Sequence, residues 1–188
     1  MSCPLLIPRT LNGSSWMQMI QKLFIVAACL LLPTAAHATK CDQFKAVMIK
    51  DAAAHQQPLP KFQPTHIQLP TDAGGQSVEI LMFDDVRATF TCWSYGWPMS
   101  FRAEAKSSNP VSISHAMSLA AMGLRNFFLG NGINNRREWQ EAIAIRDELI
   151  EKAKSSDGTR SEVRVEDGWA SCVINPAGVL SFEIWSAG

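Results

Sequence analysis

The chain has 188 residues, with 17 basic and 17 acidic side chains, 47% hydrophobic content and five cysteines. Its balanced charge offers no electrostatic footprint for nucleic acid or for an anionic membrane surface. The hydrophobic fraction is ordinary for a folded protein and too high for a disordered chain.

The N-terminal segment differs from the rest in charge and hydropathy. Every acidic residue lies at or after Asp42, and Lys22 precedes an uninterrupted apolar run, Leu23–Leu32. Pro33 ends that run, and Ala36-His37-Ala38 has small residues at the two positions that signal peptidase reads. We therefore predict that residues 1–38 are a secretory signal peptide, cleaved after Ala38. The mature protein would be periplasmic or secreted, in a bacterium.

Two other interpretations of this segment fit less well. As an α-helix the apolar run would be about 15 Å long, whereas the hydrocarbon core of a bilayer is about 30 Å thick. Cys29 ends a stretch that resembles a lipoprotein box, but it lies in the middle of the apolar run. We expect no stable membrane span after cleavage. Residues 1–16 are unlike a signal n-region, so Met1, Met17 and Met19 are all candidate starts.

Three cysteines remain after processing, namely Cys41, Cys92 and Cys172. In an oxidising compartment an odd number indicates one disulfide and one spare thiol. No pair has the C-x-x-C spacing of a redox centre or zinc knuckle. Cys92 and Cys172 both lie on apolar faces of predicted strands, whereas Cys41 follows the predicted new N-terminus, where chains fray. We therefore favour a Cys92–Cys172 bridge, with a pairing to Cys41, or no bridge at all, as the alternatives.

Hydrophobic periodicity predicts a helix, four strands, two helices and three strands, in that order. The predicted helices are 41–55, 114–129 and 136–154. The predicted strands are 66–69, 78–83, 86–95, 99–106, 162–166, 169–174 and 179–185. Three prolines exclude helix between the first helix and the first strand.

This order predicts a single α+β domain over residues 39–188, built on an antiparallel sheet. An N-terminal helix precedes the sheet, and an αα-hairpin is inserted between two strand groups. Because there is no β-α-β alternation, a parallel nucleotide-binding sheet is not expected.

The sequence contains no G-x-S-x-G, H-E-x-x-H, G-x-G-x-x-G or P-loop pattern. His55, His66 and His115 are scattered over different predicted elements, so we expect no metal site and no cofactor. Asp84-Asp85 is typical of a tight turn. Arg136-Arg137, at a predicted helix start, is interpreted as a solvated pair screened by nearby glutamates.

Trp93, Tyr95 and Trp97 form the sharpest candidate ligand-binding site. They stand at alternate positions at the end of a strand and in a Gly/Pro turn, on the face opposite Phe90 and Cys92. Exposed aromatic side chains can stack on a sugar ring or grip a peptide. The alternative, which is the commoner case, is core packing beneath the αα-hairpin. It predicts that truncating Trp93 or Trp97 to Ala costs on the order of 3–5 kcal/mol of stability.

These observations favour a small exported, non-enzymatic protein that binds a protein or a small-molecule or glycan ligand. Two other classes compete with it. One is a periplasmic enzyme with dispersed catalytic residues, such as His115 with an acidic partner or a free cysteine as nucleophile. The other is a structural or inhibitor module that acts by its shape.

The N-terminus of the protein purified from its native host tests the signal-peptide prediction. We expect an intact mass that corresponds to residues 39–188, because signal peptidase cleaves after the small residue Ala38. Edman sequencing should then begin at Thr39. A mass that retains residues 1–38, or an acyl group on Cys29, would contradict the prediction.

Overall fold

The computed structural model describes residues 39–65, 75–129, 135–166 and 168–187. Within these ranges lie three α-helices, α1 (Lys40–Ala54), α2 (Pro110–Leu124) and α3 (Asn135–Lys154), and a π-helical turn, Arg125–Leu129. The strands are β1 (Lys61–Pro64), β2 (Gln76–Leu81), β3 (Val86–Cys92), β4 (Pro98–Ala105), β5 (Ser161–Val165), β6 (Gly168–Ile174) and β7 (Leu180–Ser186). Among the described helices, none has the length and apolar character needed to cross a membrane.

The seven strands form one antiparallel sheet in the order β1-β2-β3-β4-β7-β6-β5. β4 and β7 join the two strand groups, and along them Phe101 lies opposite Ile184 while Arg102 lies opposite Glu183. Because side chains alternate along a strand, these two pairs define the two faces of the sheet. The face with Phe101 and Ile184 is buried in one core with the apolar sides of all three helices. The opposite face carries polar and charged side chains.

α1 begins at a capping box formed by Thr39 and Asp42. The hydroxyl and the backbone N–H of Thr39 both donate to the Asp42 carboxylate, at 2.7 and 3.1 Å, and these bonds lower the pKa of Asp42. Further along α1, Phe44 stacks on Phe90 of β3 with ring centroids 4.0 Å apart. The predicted apolar stripe of α1 therefore faces the sheet.

The predicted α+β class, the antiparallel sheet and the N-terminal helix are confirmed. α2 begins earlier than predicted, because the Asn109 side chain caps it and Pro110 occupies its first turn, where no N–H is needed. β1 was not predicted; it lies at the edge of the sheet, where Pro64 is tolerated. The strand predicted at 66–69 lies outside the described residues. So does the link between α2 and α3, and the αα-hairpin stays a prediction.

The disulfide differs from the favoured pairing. Cys41 of α1 is bonded to Cys92 at the end of β3, with 6.3 Å between their Cα atoms, and Cys172 is a free, buried thiol. The predicted Cys92–Cys172 bridge is therefore wrong, and so is the role of Cys41 as the spare thiol.

Strand order explains the error. Cys92 lies on β3 and Cys172 on β6, and β4 and β7 separate these strands. Three strand spacings correspond to about 14 Å, far beyond the span of about 4.4–6.8 Å that a disulfide bridges between Cα atoms. Both cysteines point toward apolar surroundings, as predicted, but they do so at distant places in the core. Cys41 does not fray, because the bridge itself and the capping box hold the start of α1.

Non-reducing peptide mapping should yield a linked pair of peptides that contain Cys41 and Cys92. Because the closed loop spans 51 positions, the double variant Cys41→Ser/Cys92→Ser should lose up to about 4 kcal/mol of unfolding free energy in the chain-entropy model. Chemical denaturation measures this loss. As a control, Cys172→Ala should leave the peptide map unchanged. A disulfide peptide that contains Cys172 would refute the assignment.

Candidate functional site

Residues 93–97, here called the aromatic turn, connect β3 to β4. The backbone N–H of Trp93 donates to the carbonyl of Trp97, and that of Gly96 donates to the carbonyl of Trp93, both at 2.9 Å. Gly96 has a φ of +83°, which a residue with a side chain rarely adopts. The turn is therefore a closed, hydrogen-bonded structure.

Three contacts attach the aromatic turn to the first turn of α1. The Cys41–Cys92 disulfide joins α1 to the last residue of β3, directly before the turn, and the backbone N–H of Cys41 donates to the carbonyl of Gly96 at 3.1 Å. A Cβ atom on Gly96 would lie only 2.6 Å from Cγ2 of Thr39. Since only glycine permits this approach, the packing of Thr39 on the turn depends on Gly96 for space as well as for conformation.

The aromatic side chains of the turn lie mostly at the surface. Tyr95 is 66% exposed and Trp97 is 56% exposed. Trp93 is half-buried and stacks on Tyr95, with ring centroids 5.9 Å apart. The core-packing interpretation is therefore wrong for Tyr95 and Trp97. The helices cover the face of the sheet that carries Phe90 and Phe101. The aromatic turn lies beyond the end of this covered face.

A cavity of about 340 Å³ lies between the aromatic turn, α1, the π-helical turn and the end of β7. Trp97 forms one wall beside Lys40, whose Nζ lies 5.8 Å from the indole centroid. Phe127 and Phe128 of the π-helical turn supply apolar surface, with their ring centroids 4.8 Å apart. The cavity thus combines an exposed indole, an ammonium group and two phenyl rings.

Close packing fixes the apolar surface that Phe128 supplies. A Cβ atom on Gly168 of β6 would lie 2.5 Å from the Phe128 ring, so the ring rests directly on the strand backbone. Phe127 meets Phe44 of α1 edge-on at a centroid distance of 6.5 Å. Because these rings contact elements of the core, they are held in place before any ligand arrives.

Polar groups complete the lining of the cavity. Gln43, Asn126, Glu166 and Ser186 all border it. Glu166 directly follows β5 and has a φ of 46°. A non-glycine residue in this conformation costs about 1–2 kcal/mol, and such strain is often found at functional sites. The lining therefore carries one cation and one carboxylate along with amide and hydroxyl groups.

A buried network, here called the Arg125 network, lies next to the cavity. It comprises Arg125, Asp51, Asn126, Glu138 and Trp139. The side chain of Arg125 is only 5% exposed; its Nη1 pairs with Asp51 of α1, and its Nη2 lies 3.3 Å from Glu138 of α3. The guanidinium also lies over the ring of Trp139 at 5.5 Å. A buried arginine is costly unless it is paired, and here two carboxylates compensate its charge.

Several polar atoms of the Arg125 network have no hydrogen-bond partner, although they are buried. These are Arg125 Nε, Asn126 Nδ2, Glu138 Oε2 and Trp139 Nε1. Glu138 Oε2 still has its ion pair with Arg125 Nη2 at 3.3 Å, which leaves three buried N–H donors on Arg125, Asn126 and Trp139 without a hydrogen-bond partner, although buried polar groups are nearly always satisfied. The π-helical turn begins at Arg125, and π-bulges frequently accompany functional sites.

The sequence contained a signal for this network. In the segment from Pro110 to Leu129, His115 and Arg125 are the only ionisable residues, and Arg125 lies within an apolar run. An arginine on an apolar helix predicts a buried partner. The partners lie on two other helices, at Asp51 and Glu138, and sequence spacing does not identify them.

Two further cavities are less suited to a ligand. One, of about 380 Å³, lies between α2, α3 and β7, and its apolar lining includes Ile113, Ile150 and Leu180. The other, of about 360 Å³, lies on the polar face of the sheet. There Arg160 pairs with Glu162 at 2.8 Å and with Glu183 at 3.2 Å, so its guanidinium is already occupied.

The other predicted site residues have structural roles in the described part of the chain. His115 Nδ1 lies 2.8 Å from Asp85 Oδ1, and its ring stacks on Phe83 at 4.1 Å. Ser112, one turn earlier on α2, is fully buried, and its hydroxyl donates to the backbone carbonyl of Asp85. A His–Asp pair is present, and the Ser112 hydroxyl donates to the backbone carbonyl and not to the imidazole.

Asp84 and Asp85 form a turn, as predicted. Arg136 and Arg137 are exposed on α3, as expected for solvated side chains. His55 packs edge-on against Trp139 at 4.7 Å, and His66 lies outside the described residues. In the described ranges, no group of three or more His, Cys, Asp or Glu side chains is arranged to hold a metal ion.

Comparisons of the chain with protein-family models, with curated proteins and with solved structures found no significant match.

The free thiol of Cys172 should be chemically inert in the folded protein. Burial raises its pKa to about 11, so at pH 8 it is a neutral thiol with no accessible surface. We expect no alkylation of the Cys172 peptide by iodoacetamide at pH 8 under native conditions, and full alkylation in guanidinium chloride. Because the unfolded thiol ionises first, the free energy of unfolding should fall as pH rises from about 9 to about 11.

Mass spectrometry of the Cys172 peptide measures the labelling. Rapid labelling of the folded protein at pH 8 would show an accessible thiolate and would revive the hypothesis of a cysteine nucleophile.

Proposed function

We propose that this protein is an exported, non-enzymatic binding protein that holds a saccharide in the cavity beside the aromatic turn. The single observation that carries the proposal is the placement of Trp97. Its indole is 56% exposed, yet it forms a wall of a cavity of about 340 Å³ and belongs to a turn attached to α1. Among the exposed large apolar side chains of the described residues, Trp97 also lines this cavity, which gives its indole a defined binding surface.

The lining matches the chemistry of a sugar ring. A β-linked hexopyranose presents a flat face of C–H groups and a rim of hydroxyl groups. Trp97 offers a rigid aromatic face for the former. Asn126 offers an amide group for the rim, and Ser186, whose hydroxyl donates to the carbonyl of Pro98 at 3.2 Å, offers its oxygen as an acceptor. The lining carries one ammonium group and one carboxylate, which favours a neutral ligand over a strongly charged one.

The site is also preorganised. The disulfide, the hydrogen bond from Cys41 to Gly96 and the close approach of Gly96 to Thr39 hold the aromatic turn before binding. A ligand that binds there orders few additional side chains, and the entropic cost of binding is correspondingly small.

Two observations support export. A disulfide between Cys41 and Cys92 is stable in an oxidising compartment and rare in a reducing one. Cleavage after Ala38 would leave the capping box of α1 intact, with the new α-ammonium group of Thr39 lying 3.1 Å from the Asp42 carboxylate. The predicted processing site is thus compatible with a stable first turn of α1.

Calorimetric titration of the processed, disulfide-bonded protein with two trisaccharides, cellotriose and tri-N-acetylchitotriose, tests the proposal. We expect at least one of them to bind. Trp97→Ala should weaken that binding at least about tenfold, because an aromatic anchor at the centre of a binding site typically contributes more than 1.4 kcal/mol. Trp97→Ala should change stability by less than about 1 kcal/mol, since the side chain is mostly exposed.

Trp169→Ala provides the matched control. Trp169 is also an exposed tryptophan, at 36%, but it lies on β6 and does not line the cavity. Its removal should leave the affinity unchanged. The proposal fails if neither trisaccharide binds, or if Trp97→Ala and Trp169→Ala have the same effect on affinity.

A further inference from the structure

Asn126 lies where the cavity meets the Arg125 network. Its Oδ1 accepts a hydrogen bond from Arg125 Nη1 at 3.2 Å. A guanidinium group carries donors and no acceptor, so the oxygen of the amide must face it. The hydrogen bond therefore determines which way the Asn126 amide is turned, and Nδ2 points away from Arg125.

The Arg125 guanidinium is itself fixed in position. It pairs with Asp51 on α1 and approaches Glu138 on α3 at 3.3 Å, and its side chain is only 5% exposed. Because partners on two helices hold it, Arg125 cannot turn to release the Asn126 oxygen without losing buried ion pairs. Arg125 thus acts as a positioning residue for the amide.

The nitrogen of the same amide has no partner. Asn126 Nδ2 is buried and makes no hydrogen bond, although Asn126 lines the cavity. A buried donor without an acceptor is unfavourable, and an acceptor brought by a ligand would remove this penalty. The neighbouring residues Phe127 and Phe128 are apolar, so the group that suits this place has a carbonyl oxygen next to a small apolar substituent.

We propose that Asn126 determines specificity for an acetamido group, and that the ligand of the cavity is a saccharide with N-acetylhexosamine units. The acetamido carbonyl accepts a hydrogen bond from Asn126 Nδ2, its methyl group contacts Phe127 or Phe128, and the sugar ring stacks on Trp97. This inference rests on the proposed saccharide function and narrows its ligand class. Because Nδ2 has no accessible surface in this structure, the proposed hydrogen bond requires a small shift of the Asn126 side chain about its contact with Arg125, while Trp97, Phe127 and Phe128 keep their positions.

The two trisaccharides of the binding experiment separate this inference from the broader proposal. Both are β-1,4-linked, and tri-N-acetylchitotriose differs from cellotriose by an acetamido group in place of one hydroxyl on each ring. We expect tri-N-acetylchitotriose to bind about tenfold to a hundredfold more tightly. Asn126→Asp keeps an acceptor for Arg125 but removes the donor, and it should bring the affinity ratio of the two sugars close to one. Asn126→Ala, which adds no charge to the Arg125 network, should do the same.

Each other outcome overturns the inference. Equal affinities in the unmodified protein would overturn the acetamido specificity while the saccharide proposal stands. Binding of neither sugar would overturn both. Equal losses for both sugars in the Asn126 variants, at an unchanged melting temperature, would show that Asn126 only shapes the cavity. Trp97→Ala should weaken both sugars alike, which distinguishes the stacking wall from the residue that selects the acetamido group.

Discussion

The attachment of the aromatic turn to α1 is the constraint on which the candidate site depends. A turn with two exposed aromatic side chains at the end of a hairpin would otherwise move freely and offer no defined surface. Here the disulfide from Cys41 sets the distance between the turn and the helix, and the hydrogen bond to Gly96 sets its orientation. The absence of a side chain at Gly96 lets Thr39 pack directly against it. As a result, Trp97 and Lys40 stand together at the mouth of one cavity.

A second anchor determines the other side of the cavity. The Arg125 network ties the π-helical turn to α1 through Asp51 and to α3 through Glu138. A network of this kind contributes little to the free energy of unfolding, because the cost of desolvating three charged groups is about equal to the gain from their pairing. Its effect is geometric, because it fixes the π-helical turn and therefore the positions of Asn126, Phe127 and Phe128 at the cavity. Three buried N–H donors of the network, on Arg125, Asn126 and Trp139, have no hydrogen-bond partner in the protein.

The fold was largely predictable from the sequence, whereas the site was not, and the physical reasons differ. The alternation of apolar and polar residues along β4 and the apolar stripe of α1 reflect local burial. Such periodicity is visible in the sequence itself. The disulfide depends on strand order, and local patterns do not reveal that β4 and β7 separate β3 from β6. The aromatic residues were identified, but their exposure depends on where the helices end. The Asp51–Arg125 pair joins residues that are 74 positions apart, so periodicity predicts a partner for Arg125 but not its identity.

The position of the site follows from how polar groups are satisfied in this fold. On the polar face of the sheet, Arg102 pairs with Glu104 on the same strand, and Arg160, directly before β5, pairs with Glu162 and Glu183. The aromatic turn and the π-helical turn both lie at the end of the helix-covered face, and both line the cavity. Exposed indole surface and an unpartnered amide donor therefore occur at the same place, and a ligand that has both an apolar face and a carbonyl oxygen satisfies both.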